Sequence, residues 1–189
     1  MLRLFQTLLI LSILLVSWLG MMIVHEFGHV LAAWVSGGTV ARGVLHPLEF
    51  SRTDLALNPH PLFVASGGAV IGTVLPLCLL WVAKWKRLSV AYLFQFFAGL
   101  CLIANGIYLS VASFLRAADA GDLMRYGTPQ WILILFGFVT VPWGIFLWNN
   151  LGPHFGLGAA GGRVSQRTAM GTFILLIFVI VIEILVGRR

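Results

Sequence analysis

The run His25-Glu26-Phe27-Gly28-His29 sets metal-ligand residue types at a spacing that has a mechanism. In an α-helix, residues four apart share one face about 6 Å apart along the axis, so His25 and His29 can hold one ion together. Glu26 is next to the first histidine and off the ligand pair, where its carboxylate can act as general base on a water at the metal. Leu8 to Val24 is almost entirely apolar, which puts the motif inside or at the end of a membrane helix. A lone histidine on an apolar helix usually just packs. Two histidines and a glutamate are costly in lipid unless they pair or bind something.

A catalytic zinc site takes three protein ligands and leaves one position for water, so the histidine pair needs a partner. The stretch Arg116 to Arg125 offers Asp119 and Asp122, and counting membrane crossings puts both on the side of the motif-bearing helix end. Either can complete the site, or both can be solvated and paired with Arg116 and Arg125. His46 and His60 each precede a proline in the segment after the first helix, where such residues are more often ordinary surface groups than ligands. Asn105 lies past the middle of an apolar run. It can face the active site and bind substrate backbone, or bond a neighbouring helix.

The elements that must position these groups follow from composition. With 60% hydrophobic and 10% charged residues in a chain of 189, the sequence reads as an all-α polytopic membrane protein with about five transmembrane helices. The spans expected are Leu4 to Val35, Leu62 to Ala83, Val90 to Leu115, Trp131 to Trp148 and Met170 to Val186. They form one transmembrane domain, residues 1–189, with its core at 4–128 and additional helices over 129–189. The first span is longer than the hydrocarbon core, and no small-x-small cleavage site precedes the motif, so it reads as a retained helix. Gly37-Gly38 ends it. Thr39 to Pro61 is polar and forms a short hairpin-like or membrane-associated loop, with a strand-like run at Val40 to Leu45. Gly68-x-x-x-Gly72 permits close helix approach, and Pro142 predicts a kink in the fourth span. Glu183, near the end of the fifth, reads as an interfacial acid that snorkels or pairs with Arg188 and Arg189. Cys78 and Cys101 lack a C-x-x-C spacing and read as reduced packing residues.

The net charge of +6 sits in connecting segments and at the C-terminus, which suits anionic lipid headgroups. No basic cluster is interleaved with exposed aromatics, so nucleic acid is not an expected partner. Lys and Arg divide evenly between the two sides of the membrane, and the positive-inside rule returns a tie.

The run from Leu15 into His25-Glu26-Phe27-Gly28-His29 resembles the first core helix of the site-2 protease family, the intramembrane zinc metalloproteases. Ala65 to Gly72 is similar to that family's small-residue segment, with Gly68 where a proline is usual. Asp119-Ala-Gly-Asp-Leu123 is similar to its third-ligand pattern, although the family's Asn-x-x-Pro run just before the aspartate is missing. The resemblance covers roughly Leu8 to Leu123. It implies Zn2+ held by His25, His29 and Asp119, with Asp122 the alternative third ligand and Glu26 the catalytic base. It also implies transmembrane segments of other proteins as substrates, and a bacterial inner membrane with the metal end toward the cytoplasm. The function expected is an intramembrane zinc metalloendopeptidase. A non-catalytic membrane interaction module that keeps the protease fold is the alternative, against which the intact Glu26 argues. A transporter would want polar residues spread over several spans, and the second, fourth and fifth carry few.

Overall fold

The computed structural model describes residues 2–49 and 51–187, and five of its helices are long and apolar enough to cross a membrane. Helix α1, Leu2–Val35, has 34 residues and spans about 51 Å, well beyond the hydrocarbon thickness. It stops where Gly37 takes a left-handed φ of +79° and the Gly38 N–H donates back to the Ala33 carbonyl at 2.7 Å.

The expected hairpin follows. Strands β1, Thr39–Val44, and β2, Arg52–Leu57, pair antiparallel, so the strand-like run from Val40 lies in β1. Along β2, Thr53 and Leu55 turn partly inward while Arg52 and Asp54 are exposed, as the two-residue strand period requires. Val40 and Leu55 are cross-strand partners and pack together on Ala32, Ala33 and Val64. The hairpin is therefore seated on the end of α1.

Helix α2, Pro61–Trp85, begins on a proline whose missing N–H has no partner to lose in a first turn. Helix α3, Ala91–Leu115, ends at Arg116, which is left-handed at φ 49°. A short helix α4, Ala118–Arg125, then occupies the stretch between the third and fourth expected spans. Helix α5, Gln130–Trp148, contains Pro142 and leads through two single-turn 3-10 segments into α6, Gln166–Gly187.

The helices pack in the spatial order α6, α1, α2, α3, α5, with α4 against α2 and α3. Between α1 and α2 the backbones nearly touch: a Cβ on Gly67 would meet the Gly28 carbonyl at 2.5 Å. Small residues of this kind are how helices associate where burial from water gives no drive. Large apolar side chains point outward all round, among them Phe138 and Phe146. Trp34 and Trp131 are exposed near helix ends on one side, and Trp81 and Trp85 near the other, as in the aromatic belts of membrane proteins.

Glu183 departs from expectation. It is 2% exposed, and its Oε2 has no hydrogen-bond partner among the described residues. The reason is packing: α6 lies against both α1 and β1, so this part of the helix meets protein rather than water. Arg188 and Arg189, its expected partners, lie outside the described residues.

Candidate metal centre

Helix α1 delivers three polar groups to one level, because His25 and His29 are one turn apart and Glu26 is next in the chain. All three are buried. The His25 and His29 Nε2 atoms lie 3.1 Å apart. Asp119 arrives from the first turn of α4, its Oδ2 at 2.8 Å from His25 Nε2 and 3.3 Å from His29 Nε2. Left-handed Arg116 and Ala118 bend the chain from the end of α3 back toward the histidines.

The outer face of each imidazole is fixed. His25 Nδ1 lies 2.7 Å from Asn105 Oδ1, and His29 Nδ1 lies 2.8 Å from the Val64 carbonyl. The Asn105 amide orientation follows from its Nδ2, which donates to the Cys101 carbonyl at 2.9 Å. Both Nδ1 atoms thus face acceptors and carry hydrogen, which leaves both Nε2 atoms bare in the neutral rings. Three acceptor atoms then converge within 4.8 Å of one another, an arrangement that only a shared cation reconciles, a proton or a metal ion. Burial pushes the Asp119 carboxyl up, but where the shared cation is a proton on the imidazoles, the hydrogen bonds and charge that His25 and His29 then offer outweigh it and hold it well below the usual carboxylate range. Asp119 is therefore an anion at neutral pH, as a ligand must be.

Glu26 is held from the hairpin. Thr53 Oγ1 donates to its Oε2 at 2.7 Å, and Ser51 Oγ donates to its Oε1 at 3.0 Å. The group opens into a cavity of about 880 Å³ whose walls include Trp18, Met21, Met22, Leu100, Ile103 and Ile107. Tyr108 stands edge-on to His25, with ring centroids 5.6 Å apart. Opposite the histidines, α2 comes so close that a Cβ on Gly68 would lie 2.6 Å from His25 Nε2. The position where the resemblance expects proline has no room for any side chain.

Of the residues singled out by sequence, His25, His29 and Asp119 come together with Glu26 beside them. Asp122 also lines the cavity, but it is exposed and outside the ligand group. Among the described residues, neither aspartate pairs with Arg116 or Arg125. Of the two destinations expected for Asn105, substrate backbone or a neighbouring helix, the contacts are with neighbouring helices. Its carbonyl oxygen orients His25 on α1, and its amide donates to the Cys101 carbonyl of its own helix and reaches the Gly72 carbonyl on α2, which leaves it little to offer a substrate. His46 and His60 stay outside the group. Ser51, Thr53, Tyr108 and the Val64 carbonyl were not foreseen; only the alternation of β2 hinted at which side Thr53 takes.

No family model matches this chain, and neither a curated protein nor a solved structure matches it.

Proposed function

We propose that this chain is an intramembrane zinc metalloendopeptidase of the site-2 protease type, its five long helices crossing the bilayer and its metal end toward the cytoplasm. The observation that carries the reading is the His25, His29 and Asp119 triangle with a glutamate alongside, buried at the floor of an apolar cavity. Its edges of 2.8, 3.1 and 3.3 Å are close to the ligand separations of about 3.3 Å that tetrahedral bonds of 2.0–2.1 Å require. The nitrogen and carboxylate donors suit zinc among the divalent ions.

Zinc so bound supplies the Lewis acidity that polarises a peptide carbonyl and brings the pKa of a water toward neutrality. The chain's own residues do the rest. Asn105 and the Val64 carbonyl hold the two imidazoles in the tautomer that presents Nε2. Glu26 takes the proton from the attacking water and returns it to the leaving nitrogen. The apolar cavity walls suit the side chains of a transmembrane segment, which must unwind locally to expose its carbonyls. Each strand of the two-stranded hairpin keeps one unpaired edge, where an unwound segment can add as a further strand.

The test is Glu26→Gln in liposomes carrying a panel of single-span peptides with helix-breaking centres. Cleavage should fall by roughly 10² to 10⁴-fold, the usual contribution of a positioned base, while metal per chain is unchanged. Equal behaviour of variant and wild type would refute the peptidase reading and favour a non-catalytic interaction module.

A further inference from the structure

Glu26 is the one member of the site that the ligand geometry does not fix. A glutamate has three rotatable bonds, and a base displaced by an ångström loses much of its effect. Both of its oxygens are held from the hairpin: Thr53 on β2 and Ser51, the residue just before β2, each donate one hydroxyl hydrogen bond. The two-residue period of a strand puts Thr53 and Leu55 on one side of β2, and Ser51 reaches the same carboxylate from the position that leads into the strand. Leu55 packs on Ala32, Ala33 and Val64, which fixes the strand against α1 and α2. Each carboxylate oxygen keeps a second lone pair for water.

We propose that Ser51 and Thr53 are positioning residues that hold the Glu26 carboxylate in its working orientation, so that docking of the hairpin on α1 is a condition of activity. The proposal rests on the reading of Glu26 as the base. It assigns the hairpin a part in the chemistry, separate from any contact it makes with substrate.

The experiment compares wild type, Thr53→Ser, Thr53→Val and the double variant Ser51→Ala/Thr53→Val. The double variant should lose about ten- to a hundredfold in kcat, the scale of a misplaced catalytic group, with KM and metal per chain unchanged. Thr53→Ser, which keeps the hydroxyl, should restore most of what Thr53→Val loses. An unchanged kcat, or a loss that serine does not rescue, overturns the proposal.

A second readout needs no cleavage. Val44, at the end of β1, is 4% exposed, so a Val44→Cys variant in a Cys78→Ser background reports hairpin undocking by its alkylation rate. The rate should rise by about tenfold for each hydroxyl removed, the weight of a hydrogen bond to a charged group in an equilibrium. It should rise likewise in Glu26→Leu, where the acceptor is gone. Unchanged alkylation overturns the docking contact. A wild type that cleaves nothing overturns the peptidase reading instead, and the alkylation rates then decide the hairpin contact by themselves.

Discussion

Gly68→Ala should abolish metal binding without unfolding the protein. A Cβ there would lie 2.6 Å from His25 Nε2 and 2.7 Å from His29 Cε1. The His29 Nε2 atom is nearer still, and ordinary contact needs about 3.5 Å, so the rings must retreat by at least about 0.9 Å. They cannot do so freely, because His25 is tied to Asn105 at 2.7 Å and His29 to Val64 at 2.8 Å. Retreat breaks at least one of these bonds, at about 1 to 3 kcal/mol for a buried group left unpaired. A metal site tolerates only about 0.2 Å in its ligand distances, so a shift of this size removes a ligand. The assay is metal per chain by plasma mass spectrometry after purification without chelator, alongside the thermal midpoint of the chelated protein. Metal should be lost, while the chelated midpoint falls only by the cost of one broken hydrogen bond. Gly171→Ala is the control: on α6 an added Cβ meets nothing within 4 Å, and alanine should stabilise the helix by about 0.5 to 1 kcal/mol. Full metal occupancy in Gly68→Ala would refute the proposed location of the ion between these rings.

Asn105→Ala should weaken metal affinity by about 10- to 100-fold, the usual effect of removing the group that orients a ligating histidine; competition with a chromogenic chelator measures it, and unchanged affinity would show that His25 needs no such support. Glu183→Gln should leave stability unchanged or raise it by about 1 kcal/mol, since the buried Oε2 has no partner among the described residues. A clear fall in its thermal midpoint would show that the carboxylate is paired in the folded protein.

The histidine pair and Glu26 were legible because a helical period alone puts residues 25 and 29 on one face. The third member of the candidate metal group was legible only as a choice between two aspartates. What selects Asp119 is the left-handed conformation of Arg116 and Ala118, and neither residue type announces it, since glycine or asparagine is usual there. The hairpin showed as polarity and a few β-branched residues, yet nothing in Ser51 or Thr53 pointed to Glu26, because that contact depends on how the strand sits on α1. Asn105 had one apolar context and two plausible destinations, and the tertiary approach of α3 to α1 decides between them. The burial of Glu183 was not legible for the same reason, and its expected pairing with Arg188 and Arg189 lies outside the described residues. Its place near the end of a helix suggested water, whereas the faces of α1 and β1 cover it.

The three residues of the candidate metal group are divided unequally along the chain, which on the proposed reading orders events during synthesis. His25 and Asp119 are 94 positions apart, so at about 5 to 20 residues per second the histidines wait roughly 5 to 20 s for their carboxylate. During that interval the nascent helix presents two imidazoles, a weaker claim on an ion than three ligands make. Commitment of the ion is therefore expected only after α3 has been inserted and α4 has swung back, which places metal capture midway through biogenesis, before α5 and α6 are added, rather than at its start. A chain ended at Ala118 and inserted into liposomes should release its ion to a mild chelator that the full chain resists; equal retention by both would show that the histidines suffice.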